Sequence, residues 1–145
     1  MSQAVGTNPY RGGKAAVSGP WLDGSHNHSL NETWYTFGKS TDMVRPGPAN
    51  TFTILDENKY SINDGGFGTV GPNQPPLYRM VDWPGVYHND ACGIAFGDGH
   101  SEIHRWRDNR TYLNSKATSV AIQDGNQDIW WLSTKTSALI RGPTF

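Results

Sequence analysis

The stretch 92–106 constrains the fold of this chain most strongly, because its apolar residues alternate on both sides of Asp98-Gly99. Asp-Gly is typical of the two-residue turns that join antiparallel strands. Side chains of a strand point alternately to the two faces of its sheet, so the position of the turn sets every cross-strand pair. The sequence therefore predicts a hairpin whose buried face carries Ile94, Phe96 and Ile103.

A two-residue turn at Asp98-Gly99 also places small residues on the other face of the hairpin, opposite a row of polar side chains. The predicted pairs on that face are Gly97 with His100, Ala95 with Glu102, and Gly93 with His104. Histidine and glutamate side chains can bind metals or move protons. The stretch is therefore a candidate active site, a candidate metal site, or a hairpin alone.

Shorter patterns predict the remaining elements. Strands are expected at 33–38, 50–58 and 78–83, with a turn and a short strand at 60–70. Within 50–58, Phe52, Ile54 and Asp56 share one face. Residues 128–140 have apolar residues near helical spacing, and Asp128 is the predicted N-cap.

Residues 1–32 are rich in Gly, Asn, Ser and Pro, so irregular structure is expected there. We expect a single domain over residues 1–145, α+β or mainly β. It is built on an antiparallel sheet with a short C-terminal helix.

Composition excludes several function classes. The formal net charge of −1 provides no electrostatic attraction to nucleic acid or to an anionic membrane. No apolar run is long enough to cross a bilayer. Cys92 is the only cysteine, so an intramolecular disulfide and a cysteine-rich zinc site are both excluded.

An acidic loop near the C-terminus is a candidate calcium site. Asp124, Asn126 and Asp128 lie at alternate positions, and calcium prefers several oxygen ligands from a flexible loop. Two further acids, Asp56 and Asp64, are candidate metal ligands. The alternative for the loop is an Asx turn followed by a helix cap.

Four residues are candidates for acid–base catalysis: Glu57, His88, Asp98 and His100. If they meet in space, a bound ion or a His/carboxylate pair could activate water. Zinc is less favoured than calcium, because His26-x-His28 and His100-x3-His104 are loose patterns without the expected helix. Cys92 lies within an apolar strand, where its thiol is expected to be inert.

The chain resembles a known family at several stretches in the right order. His88, nine intervening residues and Asp98-Gly99 resemble the H-X9-DG signature of prepilin-type proteins, which are similar to the pseudopilins of type II secretion. The other matching stretches are "GPWLDGSH", "RPGPANTFTILDEN", "SINDGGF" and "NQDIWWL". Together they cover roughly residues 17–135.

The resemblance implies an antiparallel sheet packed on an N-terminal hydrophobic helix, with calcium bound in a C-terminal loop. Such proteins are extracytoplasmic, periplasmic or on the cell surface, and they assemble with other pseudopilin-like subunits. The hydrophobic helix and a targeting segment are not found in this sequence. It therefore resembles the soluble C-terminal part of a member, which would be cytoplasmic if made as given.

Three functions follow from these expectations. The first is a calcium-stabilised assembly or interaction domain of the pseudopilin type. The second is a calcium-dependent hydrolase of an ester or lactone, such as an acyl-lactone. The third is a glycan-binding module that uses exposed tryptophans, with Trp21, Trp34 and Trp83 as candidates.

Overall fold

A computed structural model describes residues 37, 40–63, 66–69, 79–114, 116 and 120–138. Several predictions fall outside these residues. They are the irregular segment 1–32, most of the strand 33–38, and the residues Trp21, His26, His28, Trp34 and Asp64.

The described elements are short strands and helices. The strands are β1 (Phe52–Leu55), β2 (Arg79–Met80), β3 (Ala91–Phe96), β4 (Ser101–Arg105) and β5 (Ala121–Ile122). The helices are α1 (Asn109–Tyr112) and α2 (Gln127–Thr134), with 3-10 turns at Ser40–Asp42 and Pro48–Asn50. All strand pairs are antiparallel, in one sheet of order β1-β3-β4 and a second made of β2 and β5. The α+β prediction is confirmed.

The β3–β4 hairpin is confirmed, but its predicted register is wrong by one residue. Gly93 pairs with Ile103 and Ile94 pairs with Glu102. The amide of Phe96 donates to the carbonyl of His100 at 2.9 Å, which leaves three residues in the loop instead of two. Gly99, at φ 94°, closes that loop. Glycine adopts this left-handed backbone at little steric cost.

The shifted register moves Ile103 to the outer face of the sheet. Its side chain is 60% exposed, so the prediction that it is buried is wrong. Ile94 and Phe96 are buried at 2% and 4%, as predicted. The inner face of the hairpin therefore carries Cys92, Ile94 and Phe96 of β3. Their neighbours on the same face of β4 are His104, paired with Cys92, and Glu102, paired with Ile94.

Strand β1 contains an irregularity that sequence alternation does not reveal. Phe52 pairs with Phe96 and Leu55 with Ile94, but the register shifts between Phe52 and Ile54. Such a bulge places two successive residues of one strand opposite one residue of its neighbour. Phe52 and Leu55 consequently point inward, whereas Ile54 is 55% exposed. The prediction that Ile54 shares the face of Phe52 is wrong.

The core lies between the inner face of the sheet and helix α2. Its buried side chains are Phe52, Leu55, Phe67, Met80, Trp83, Cys92, Ile94, Phe96, Trp106, Ile129 and Leu132. Burial of an aromatic side chain of this size stabilises a small domain by about 1.5–3 kcal/mol. Trp106 also satisfies its polar atom, because Nε1 donates to the carbonyl of Gly85 at 2.8 Å. Trp106 therefore helps to fix the position of the loop that contains Gly85.

The N-cap of helix α2 lies two residues before the predicted one, and the helix ends at Thr134, well before the predicted end at residue 140. Its N-cap is Asn126, whose side-chain oxygen accepts from the amides of Asp128 and Ile129. The prediction of Asp128 as N-cap is therefore wrong. In the described part of the chain, none of the helices has the length and apolar character needed to span a bilayer.

Candidate functional site

The histidine of the H-X9-DG signature is bound at the start of β3. Nε2 of His88 lies 3.1 Å from Oδ2 of Asp56, and the same oxygen accepts from the amide of Gly93 at 2.8 Å. A Cβ at Gly93 would lie 3.0 Å from that oxygen, so the close approach of Asp56 depends on glycine. Asp56 thereby joins the end of β1 to both the turn before β3 and the strand itself.

The aspartate of the signature lies in the loop after β3. Oδ1 of Asp98 accepts from the amide of His100 at 3.1 Å and lies 2.5 Å from Nδ1 of the same residue. The backbone amide and then the side chain of His100 lower the pKa of Asp98. The imidazole of His100 stacks on Phe96 with ring centroids 4.4 Å apart. Asp98 and His100 therefore stabilise the turn locally.

The four predicted catalytic residues do not converge. Glu57 lies at the His88 end of the sheet, where its carbonyl accepts from the hydroxyl of Tyr87 and Oε1 accepts from Ser61. Asp98 and His100 lie at the other end of β3, and a six-residue strand spans roughly 20 Å. The structure brings His88 together with Asp56, which the sequence nominated only as a metal ligand.

The three predicted calcium ligands have different environments. Asn126 is fully buried, and its Nδ2 donates to Thr111 and Gln123 at 3.1 and 2.6 Å. Asp128 is 1% exposed, and its carboxylate accepts from the amides of Arg107 and Asp108 at 2.9–3.2 Å. Asp124 is exposed. The Asx turn and helix cap considered for this loop are thus present, and calcium binding stays a prediction.

Metal-ligating side chains are dispersed over the described residues. Among residues 37, 40–63, 66–69, 79–114, 116 and 120–138, no group of three or more His, Cys, Asp or Glu side chains is placed to hold an ion. Cys92 is fully buried, and burial raises the pKa of its thiol well above the usual range. An inert thiol was predicted at this position.

Tryptophan exposure bears on the glycan-binding hypothesis. Trp83, predicted to be exposed, is 2% exposed, so that prediction is wrong. Its burial follows from the loop 83–85, whose backbone pairs with residues 56–58 beside β1. Trp130 is 36% exposed, on α2.

Strand β4 borders an aromatic group that the sequence did not reveal. The ring of His104 stacks on Trp131 of α2 with centroids 3.6 Å apart and meets Trp106 edge-on at 4.9 Å. A groove of about 490 Å³ lies beside this strand and is lined by residues 102–107. The contact of His104 with Trp131 therefore packs β4 against α2.

The outer face of the sheet is the second feature that sequence reasoning missed. Small residues lie at its centre: Ala95, which pairs with the exposed Ile54, and Gly93, which pairs with the exposed Ile103 and is contacted by the carboxylate of Asp56. The Cδ1 atom of Ile103 lies 3.9 Å from the position that a Cβ on Gly93 would occupy. The bulge in β1 and the three-residue loop create this surface, and neither has a clear signal in a single sequence.

No family model, curated protein or solved structure matches this chain.

Proposed function

We propose that this chain is an assembly domain of the pseudopilin type, which acts through protein–protein contacts of its sheet. The observation that carries the proposal is the outer face, where Ile54 and Ile103 are 55% and 60% exposed beside the small residues that they pair with. Exposed apolar side chains grouped on one surface are typical of protein interaction sites. The partners are other pseudopilin-like subunits, as the resemblance of the H-X9-DG stretch suggests.

The dispersal of the candidate catalytic residues also supports an assembly function. Two of them, His88 and Asp98, hold opposite ends of β3 through separate hydrogen bonds. A general base has to lie within hydrogen-bond reach of the group it activates, together with its partners. Both residues form hydrogen bonds in the segments that flank β3, and the two sets of bonds are separate.

The test measures binding of the purified chain to the head domains of pseudopilin-like proteins encoded in the same genome, by biolayer interferometry. We expect Ile54→Lys to weaken binding about tenfold or more, because it places a charge in the apolar contact. Ile62→Lys is the matched control, since Ile62 is 57% exposed but lies outside the strands. Absence of binding up to about 1 mM, or equal affinities of the two variants, would overturn the proposal.

A hydrolase is the second candidate, and the pairing of His88 with Asp56 at 3.1 Å is the observation that favours it. A carboxylate can orient an imidazole that acts as a general base. If the chain hydrolyses acyl-lactones or esters, His88→Ala should lower turnover by about 10²–10⁴-fold while the melting temperature shows a folded protein. Turnover that is unchanged in folded His88→Ala removes this residue from the chemistry.

A further inference from the structure

Strand β4 has an open edge in the part of the chain that the structure describes. The amide of Phe96 donates to His100, and the amide of Trp106 donates to Asp90, both at 2.9 Å. Backbone groups of a strand alternate in direction, so the even-numbered residues of β4 face β3. The amides and carbonyls of Ser101, Ile103 and Arg105 consequently point away from the sheet, where no described strand pairs with them.

The other edge of the same sheet is covered. Beside β1, the amide of Phe52 donates to the carbonyl of Lys135 at 2.9 Å, and Glu57 forms a bridge with Pro84. Proteins usually protect an open edge with proline, a bulge or charged side chains, lysine above all. Residues 101–105 include two charged side chains, Glu102 and Arg105, but no proline or lysine, and their pairing with β3 runs through five consecutive residues without a register shift.

We propose that two copies of this chain dimerise by antiparallel pairing of their β4 strands about Ile103. The inference rests on the proposed assembly function and names a partner for it. A twofold axis at Ile103 pairs this residue with Ile103 of the second copy, and Ser101 with Arg105. These are the residues whose backbone groups point outward, so both copies exchange hydrogen bonds along the whole strand.

Electrostatics disfavours one neighbouring register. The register about Ile103 places the carboxylate of Glu102 opposite the imidazole of His104 of the second copy, twice across the axis. A shift of two residues in one direction opposes the two Glu102 carboxylates instead. Like charges directly opposite each other destabilise an antiparallel pair, so that shift is unfavourable. An open groove of about 490 Å³ is lined by residues 102–107 of this strand and the segment after it.

The dimer would also extend the outer face of the sheet. Ile103 lies on that face, 60% exposed, and its pairing across the axis covers part of the exposed apolar surface. Two sheets of three strands would become one continuous sheet of six. A contact of five residues on each side is small, so we expect a dimer that forms reversibly with concentration.

The first experiment measures the mass of the full chain by sedimentation velocity from about 1 to about 500 μM, the range in which small interfaces associate. We expect the weight-average mass to rise toward twice that of the monomer. Ile103→Pro should abolish the rise, because it removes an outward amide that β3 does not use. Melting of Ile103→Pro checks that it is folded. A monomer throughout the range would overturn the inference.

The second experiment tests the register by oxidative cross-linking and does not depend on the proline variant. Ile103→Cys should form a cross-linked dimer, because hydrogen-bonded antiparallel pairs have Cα atoms about 5.5 Å apart, within the reach of a disulfide. Ser101→Cys alone should not cross-link, but a mixture of Ser101→Cys with Arg105→Cys should. Wild type is the control for Cys92, which is fully buried. Equal cross-linking of the two single variants would refute the register.

Failure of the dimer is distinguishable from failure of the assembly function. If the chain stays monomeric yet binds other subunits through the Ile54 surface, the β4 dimer is refuted and the assembly function stands. A monomer whose Ile103 amide is protected from hydrogen exchange would show that another segment of the same chain covers the edge. If the chain dimerises through β4 but binds no other subunit, the β4 pairing is supported and the proposed pseudopilin-like partners are refuted.

Discussion

Asp128 is an acid buried almost completely inside a small domain, at 1% exposure. A buried carboxylate is costly unless hydrogen bonds replace its hydration. Here the amides of Arg107 and Asp108 supply those bonds, at distances of 2.9–3.2 Å. The residue therefore connects the first turn of α2 to the segment that follows β4.

We predict that Asp128→Ala lowers the free energy of unfolding by about 1–3 kcal/mol, because two partly buried amides lose their acceptor. Asp124→Ala is the control from the same loop, and its exposed side chain should change stability by less than about 0.5 kcal/mol. Chemical denaturation with calcium and with a chelator measures both. A calcium-dependent stabilisation of wild type that disappears in Asp124→Ala would instead identify the loop as a calcium site.

The sequence could not separate these two roles. Alternating Asp124, Asn126 and Asp128 suit an ion-binding loop and an Asx turn with a helix cap equally well, because both use side-chain oxygens pointing into a tight turn. The deciding partners, Thr111 and the amide of Arg107, lie 15 and 21 residues away. A local pattern contains no information about them.

At the level of elements, the β3–β4 hairpin follows from sequence alternation, but its register does not. Asp-Gly occurs in two-residue loops and also at the end of three-residue loops, where the glycine adopts a positive φ. The difference is a single residue, and a strand has a side-chain period of two. That one residue moved Ile103 from the predicted core to the outer face.

We predict that Gly99→Ala lowers the free energy of unfolding by about 1–2 kcal/mol, the cost of a left-handed backbone for an L-residue. An added Cβ at Gly99 meets nothing within 4 Å, so the cost comes from the backbone conformation and not from crowding. Gly99→Asn is the matched control, because asparagine tolerates positive φ better than alanine does. Equal stabilities of these two variants in thermal melts would contradict the three-residue loop.

For the whole molecule, the α+β class and the antiparallel hairpin were predictable because they depend on local alternation and turn residues. The candidate site was not. His88 and Asp56 are 32 residues apart, and they meet only because β1 pairs with β3 in a register that includes a bulge. Long-range pairing of this kind has no marker in one sequence.

His104 couples the stability of the whole domain to pH. Burial lowers the pKa of His104, opposed by the nearby Glu102 and Asp128 and assisted by Arg107 and Lys135. The unfolded chain therefore binds a proton at a higher pH than the folded chain does. The contribution of neutral His104 to stability is fully present above the ordinary histidine pKa. It decreases as the pH falls from there to the pKa of His104 in the folded chain.

We predict that the free energy of unfolding decreases as the pH is lowered below about 6.5, with a slope from this group of at most about 1.4 kcal/mol per pH unit. His104→Phe keeps an aromatic ring on Trp131 but removes the titrating group, so its slope in this range should be smaller. Denaturant titrations at pH 7.5 and pH 5.5, at protein concentrations where the chain is monomeric, measure the effect. An identical slope in the variant would rule out His104 as its source.

The hydrogen bonds at the two ends of β3 give the spacing of the H-X9-DG stretch a physical meaning. His88 is held before the strand by Asp56, and Asp98 is held after it by His100. The number of residues between His88 and Asp98 therefore equals the length of one strand with its flanking turns. Side chains of a strand alternate between the two faces of the sheet, so one inserted residue would place Asp98 on the opposite face relative to His88. Lengthening this segment by two residues should consequently disturb the domain less than lengthening it by one.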